Sequence, residues 1–221
     1  PYISWAYDAT QPASGWVTLQ PEENIFDWGP LDAQIAKAHG MGKRIWLELL
    51  TTEGQTPQWA RDAGVEVVGS RGGAPVPWNE TYQRLLRRAV HAMAARYDNN
   101  PTVDAVNVMA GGTYGEMSFP YSDTGVWEQA GYTNERFIET VKQMIDIYLE
   151  DEYVWEDGSR THGFQKTPVV LQLCCGLYGH TIVVIRPVVE YAMEKYGMRV
   201  WLKYNGFGSG HDMGWVYEQY D

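Results

Sequence analysis

Five apolar runs alternate with four helical stripes along this chain, and that order constrains the fold more than any other feature. The runs are Tyr2 to Asp8, Arg44 to Leu50, Val103 to Ala110, Thr167 to Cys175 and Arg199 to Asn205. The first helix is predicted over Pro30 to Met41, with Leu31, Ile35 and Ala38 on one face and Gly42 beyond its end. The second starts at an Asn79 cap and carries Tyr82, Leu85, Leu86, Ala89, Met93 and Tyr97, with His91 on its polar side. Asn99, Asn100 and Pro101 stop it. The third starts at Thr133 and buries Phe137, Val141, Met144, Ile145 and Tyr148. The fourth covers Ile182 to Tyr196, with Ile185, Val188, Val189 and Ala192 on its stripe and Gly197 at its end. Strands alternating with helices predict an α/β fold with a parallel sheet and right-handed crossovers. The Thr167 to Cys175 run is apolar almost throughout, as a strand covered on both faces should be.

Loop lengths indicate where function sits. The strand-to-helix loops are long: Ala9 to Gly29, Thr51 to Trp78, and Gly111 to Tyr132. The links from helix to strand are short at Gly42–Lys43, Asp98–Thr102 and Gly197–Met198. Asp151 to Lys166 alone breaks that rule. Long loops in a compact domain are usually functional. These emerge from the C-terminal ends of the strands, where parallel α/β folds build their sites.

Composition narrows the partners. A chain of 221 residues suits one domain. Its net charge of -11 argues against nucleic acid or an anionic membrane surface, which require basic patches. No apolar run approaches the roughly 18 residues of a membrane span. Ten Trp and fifteen Tyr outnumber five Phe, and such rings suit stacking on sugars. About half of them are expected in the core. Cys174 and Cys175 are adjacent, so no disulfide framework is visible, and their apolar run predicts buried, inert thiols.

Glu116 is the first candidate for chemistry. It follows the third strand in Met109-Ala110-Gly111-Gly112-Thr113-Tyr114-Gly115-Glu116, where three glycines allow close backbone approach. A carboxyl just past a strand end could serve as a general acid. The alternative is a glutamate that only solvates a loop. Glu48 shares a strand face with Trp46 and Leu50, so it is either near the pocket mouth or in an ion pair with Arg44 or Lys203. Asp8, after Trp5 and Tyr7, is a similar case. Tyr204 and Asn205 end the fifth strand before Gly206, Gly208 and Gly210, whose spacing fails the dinucleotide pattern. His39, His91, His162, His180 and His211 lack metal-binding spacing, and no nucleophile elbow is present. Asn79-Glu80-Thr81 is a glycosylation sequon, but the helix-cap reading of Asn79 is preferred.

Several segments together resemble a known family. Trp16-Val17-Thr18-Leu19-Gln20-Pro21-Glu22-Glu23, then Phe26-Asp27-Trp28 and Leu31-Asp32, resembles the W-x-x-L-E-P-E-x-G-x-Y-D-W-x-x-L-D stretch of clan A glycoside hydrolases. The thermophile-type β-galactosidase group and related glycoside-hydrolase-like bacterial proteins are the most similar. Gly42-Lys43, Trp78 with Tyr82, and Ala95-Arg96-Tyr97 through Pro101 fit the same pattern. Gly115-Glu116 falls where the family places its acid/base glutamate. Three positions depart from it: Gln20 stands for Glu, Asn24 for Gly, and Gly115 for the Asn that binds the sugar's 2-hydroxyl.

The resemblance implies a (β/α)8 TIM barrel. Five strands cannot close one, so residues 1–221 are expected to be a single incomplete barrel domain holding about strands two to six of a longer chain. The implied reaction is retaining hydrolysis of a glycosidic bond in an oligo- or polysaccharide. Glu116 would be the acid/base, and the nucleophile, a Glu ending strand seven, would lie outside this sequence. Trp5, Asp8, Glu48, Trp59, Trp78, Tyr114, Tyr204 and Asn205 would bind substrate. The expected partner is a carbohydrate, with no nucleic acid, no membrane span, no metal and no cofactor. Extracellular or cell-surface placement is favoured, and the oligomeric state is left open. Two rivals are a non-catalytic carbohydrate-binding or assembly protein on the same scaffold, and a metal-dependent barrel hydrolase.

Overall fold

The computed structural model describes residues 15–113, 115–119, 121–174, 176–178 and 181–204. The predicted strand Tyr2 to Asp8 lies outside them. The elements follow in chain order. Helices α1 (Trp16–Leu19) and α2 (Gly29–Gly40) precede strand β1 (Ile45–Glu48). Then come α3 (Gln58–Asp62), the hairpin β2 (Val67–Val68) and β3 (Ala74–Pro75), and α4 (Glu80–Tyr97). Strand β4 (Val103–Asn107) leads into β5 (Gly111–Gly112), β6 (Glu116–Ser118), α5 (Thr124–Gln129) and α6 (Asn134–Leu149). A second hairpin, β7 (Tyr153–Val154) and β8 (Arg160–Thr161), precedes β9 (Val169–Leu173), α7 (Thr181–Tyr196) and β10 (Val200–Tyr204).

The helix boundaries have local causes. Asn79 Oδ1 accepts the Tyr82 N–H at 2.8 Å, a cap worth about 1 kcal/mol. Thr133 Oγ1 does the same for the Arg136 N–H at 3.1 Å. Pro30 sits in the first turn of α2, and Gly42 beyond its end has φ +62°, a conformation that favours glycine. Asp98, at the end of α4, accepts the N–H groups of Gln165 (2.9 Å) and Thr167 (2.8 Å) and so fixes the approach to β9.

Strands β1, β4, β9 and β10 form one parallel sheet in that order. One face carries Leu47, Val106, Leu171 and Val200 into the main core, where Phe137, Tyr148, Leu85 and Leu86 are fully buried. Helix α6 lies against α4 and α7 on that side. The opposite face presents a different row. Register places Trp46 beside Ala105 and Glu48 beside Asn107, while Trp201 pairs with Val170 and Lys203 with Gln172. Strands β1 and β10 are the two ends of this sheet, yet the Trp46 and Trp201 rings are 6.4 Å apart, edge to face. In a flat sheet the end strands would stand roughly 14 Å apart, three interstrand spacings. The sheet is therefore curled, with this second face on the concave side. It does not close into a barrel among the described residues.

Two expectations need correction. His91 is 2% exposed rather than solvated. The β7–β8 hairpin folds over α4, and His91 meets Thr161 Oγ1 at 2.6 Å through Nδ1 and Glu150 Oε1 at 2.9 Å through Nε2. Helical period alone marked that face as polar, because the cover comes from 70 residues further along the chain. Cys174 is half-buried rather than buried, and Cys175 lies outside the described residues. Among the tryptophans, Trp16 and Trp127 are fully buried, while Trp28, Trp46, Trp59, Trp78, Trp155 and Trp201 are half-buried.

Candidate functional site

The long loops rise from the C-terminal end of the sheet and are built rather than slack. After β4 the chain makes a tight glycine-rich turn. Gly111, Gly112 and Gly115 all have positive φ. A Cβ on Gly112 would meet Ser118 O at 2.5 Å, and one on Gly115 would meet Met109 Cε at 2.0 Å. The glycines therefore let the turn close on the protein's own atoms. Glu116 opens β6, paired in parallel with Gly111, and is half-buried. Met117 follows with φ +60°, a left-handed backbone that non-glycine residues rarely adopt. Its carbonyl accepts the Gly176 N–H at 3.0 Å, which ties the Glu116 strand to the end of β9.

Three features attach this turn to the rest of the mouth. Gly115 approaches Thr52, just past the end of β1, with Thr52 Cγ2 3.6 Å from its virtual Cβ. Asp123 accepts the backbone N–H (2.8 Å) and hydroxyl (2.9 Å) of Ser70. Thr113, two residues past Gly111, donates to the same carboxylate at 3.4 Å. Burial raises the Asp123 pKa, but the bonds from Ser70, Ser122 and Thr113 together outweigh it and hold the carboxyl below the usual range.

Beneath the turn, on the concave face, each strand contributes one polar side chain. Asn107 Nδ2 donates to Glu48 Oε2 at 2.9 Å, and Lys203 Nζ donates to Gln172 Oε1 at 2.9 Å. Burial raises the Glu48 pKa; Asn107 and the Lys203 charge pull it down, and Glu53 pushes it up. Lys203 on one end of the sheet thus acts on Glu48 at the other. Arg44, the other partner considered for Glu48, instead pairs with Asp104 at 2.7 Å. Asn107 Oδ1, Gln172 Nε2 and Thr52 Oγ1 are buried with no hydrogen-bond partner among the described residues. Buried polar atoms are normally satisfied, so these three are exceptions grouped at this end of the sheet.

The remaining sequence candidates are scattered. Trp59 donates its indole N–H to the Gln20 carbonyl at 2.9 Å and packs edge-on against Trp16 at 5.7 Å. Trp78 donates to the Ala130 carbonyl at 2.9 Å and lines a separate shallow groove with Glu66, Asn79 and Arg136. Neither has a spare polar tip. The backbone of Tyr204 ends β10, and nothing is described of its side chain. Trp5, Asp8, Tyr114 and Asn205 lie outside the described residues.

Sequence reasoning passed over Asn107, Gln172, Thr52 and Asp123 and took Lys203 only as an ion-pair partner. A usable signal existed. Each strand of the sheet carries a polar side chain two residues after an inward Trp46, Ala105, Val170 or Trp201.

The departures from the family stretch also have local reasons. Gln20 is fully buried, accepts the Trp16 indole N–H at 2.8 Å and donates to the Glu23 carbonyl. An ionised glutamate could not make the second bond. Gly115 has φ +75° and Met109 fills the space where a side chain would start.

A parallel α/β sheet with a glutamate in the glycine turn at its C-terminal end accords with a clan A glycoside hydrolase relationship, which the family match carries. Residues 10–143 match the family model of glycosyl hydrolase 42, β-galactosidase, and the chain belongs to that family. Endo-1,4-β-xylanase A of Fusarium oxysporum f. sp. lycopersici is 29% identical over 111 residues, 48% of this chain and 30% of that protein. Endo-1,4-β-xylanase 1 of Gibberella zeae is 25% identical over 171 residues, 72% of this chain and 42% of that protein. The chain thus spans less than half the length of either relative. Among solved structures, xylanase B from Clostridium stercorarium F9 aligns over 91% of this chain and 66% of its own, with 16% identity and a TM-score of 0.37. No helix among the described residues is long and apolar enough to cross a membrane.

Proposed function

We propose that this chain is part of a (β/α)8 barrel glycoside hydrolase that cleaves glycosidic bonds with retention, and that Glu116 is its acid/base. The observation that carries the reading is the position of Glu116. It stands in the glycine turn at the C-terminal end of a curled parallel sheet, above a concave row of polar groups with unsatisfied atoms. In such a mechanism the acid protonates the leaving glycosidic oxygen as a second carboxylate attacks the anomeric carbon. The same residue then removes a proton from the water that releases the sugar. The nucleophile is assigned to sequence beyond this segment. Glu48, Asn107, Gln172 and Lys203 would hold sugar hydroxyls, with Asn107 Oδ1 and Gln172 Nε2 offering the unsatisfied acceptor and donor. The substrate is a β-linked galactoside or xyloside, the classes named by the family and by the curated relatives.

One observation favours a second reading. Gly115 stands where the resemblance expects a hydroxyl-binding Asn, and the space is filled by Met109. A non-catalytic carbohydrate-binding protein on the same scaffold would show that loss. The natural full-length protein decides between them when assayed on nitrophenyl β-galactosides, nitrophenyl β-xylosides and xylan. Hydrolysis with the product first released as the β-anomer, followed by NMR, supports the enzyme. Saccharide binding without turnover on any of these substrates supports the second reading.

A further inference from the structure

We propose that the groove between α4 and the β7–β8 hairpin is a second carbohydrate-binding site, shaped for a neutral oligosaccharide strand and separate from the mouth that holds Glu116. The groove has a volume of about 710 Å³, within the range of small-ligand sites. It is framed by Arg84 and Arg88 on α4, Tyr153, Trp155 and Asp157 on the hairpin, and Asn24 from the loop before α2. The hairpin occupies the Asp151 to Lys166 connection, the one long helix-to-strand link in the chain. The groove runs along the α4 face that carries Arg84, Arg88, Ala92 and Ala95, away from the face that α4 buries in the core, and it shares no lining residue with the Glu116 turn. Asn24 is also a departure from the family stretch, and the catalytic reading gives it no task.

The walls are held in place. Arg87 donates to Glu150 Oε1 at 2.7 Å and stacks over Tyr153 at 4.2 Å. The Trp155 indole N–H bonds Thr161 Oγ1 at 2.8 Å, and Thr161 also meets the buried His91. Tyr153 and Trp155 pack edge to face at 4.8 Å. Arg84 is the lightly held arm: it is exposed and makes no ion pair among the described residues, whereas Arg88 lies over the Trp155 ring at 5.3 Å and reaches Glu23 and Asn24 at 3.5 Å. Fixed aromatic rings beside planar guanidinium, amide and carboxylate groups match the alternating apolar faces and hydroxyl rims of sugar rings. The charges select a neutral ligand. Arg84 and Arg88 are balanced by Glu156 and Asp157 in the groove, and the chain as a whole carries -11, which repels polyanions. Choosing a saccharide over other neutral polyols rests on the family reading; the groove geometry does not.

The test is native gel electrophoresis of the natural full-length protein through gels containing soluble xylan, galactan, mixed-linkage β-glucan or polygalacturonate. Hydrolysis of a nitrophenyl glycoside is measured in parallel. Retardation by at least one neutral polysaccharide is expected. It should weaken about tenfold in Arg84→Ala and in Trp155→Ala and persist in Glu116→Gln. Arg84→Ala is a surface change that keeps the fold and leaves nitrophenyl glycoside turnover as in the wild type. No retardation by any neutral polysaccharide, retardation by polygalacturonate alone, or equal retardation of Arg84→Ala and wild type would overturn the proposal. Retardation that depends on Arg84 without glycoside turnover would keep the groove and remove the hydrolase reading.

Discussion

Restoring the family's asparagine beside the candidate acid should cost stability, and the structure says through which contact. In Gly115→Asn the new Cβ lies 2.0 Å from Met109 Cε and 3.0 Å from its sulfur, so Met109 must leave its place. Overpacking of this kind costs about 1–3 kcal/mol. The backbone at φ +75° adds about 1 kcal/mol for a side chain that tolerates the left-handed region. The expected total is roughly 2–4 kcal/mol. Urea unfolding should show a midpoint lower by about 1 M or more at unchanged slope. Met109→Ala, a buried truncation, is itself costly at about 2–5 kcal/mol. On that background, however, Gly115→Asn should cost only the backbone part, about 1 kcal/mol. The double-mutant cycle should therefore give a favourable coupling of about 1–3 kcal/mol. An equal cost in both backgrounds, or none in either, would refute the claim that Met109 excludes the asparagine.

Three further outcomes follow from the same region. Glu48 has a raised pKa in the folded protein, so the native state binds more protons than the unfolded one above the unfolded value; stability falls as pH rises through that window. Glu48→Gln should accordingly be more stable than wild type at pH 7 and lose that advantage below about pH 4 in urea unfolding. Asp123 is shifted the other way, so its stabilisation is present above the unfolded value and is lost as pH falls through the folded pKa; Asp123→Ala should cost about 1.5–3 kcal/mol at pH 7 and less in acid. Gln20→Glu should destabilise by about 1–3 kcal/mol at neutral pH, because it loses the bond to the Glu23 carbonyl and buries a carboxylate; a neutral result in thermal unfolding would contradict that account.

Much of the scaffold was legible because period and punctuation act locally. Asn79, Thr133, Gly42 and Gly197 marked helix ends that hold within a residue or two, and the four apolar runs after the first became β1, β4, β9 and β10 in one parallel sheet. Strand ends were overrun by one to three residues, since an apolar run continues into the loop beyond the last ladder bond. Long-range cover was not legible. Nothing near His91 says that a hairpin 70 residues later will bury it. The curl that brings Trp46 to Trp201 depends on four strands at once. The tight turn that holds Glu116 was legible from its glycines, but the polar row on the concave face was seen only at Glu48 and Lys203. Asn107 and Gln172 look like isolated exceptions until register aligns the strands.

The central claim is that Glu116 supplies and removes the proton, and a leaving-group series tests it most directly. Turnover of Glu116→Gln in the natural full-length protein should be compared with wild type on aryl glycosides from dinitrophenyl to unsubstituted phenyl, and on an alkyl glycoside. Loss of a general acid should cost about 10²- to 10⁴-fold on poor leaving groups. It should cost far less in the glycosylation step on dinitrophenyl glycosides, whose oxygen needs no proton. A loss that grows steadily with leaving-group pKa is the predicted result. An equal loss across the series, or none on the alkyl glycoside, would contradict the assignment of Glu116.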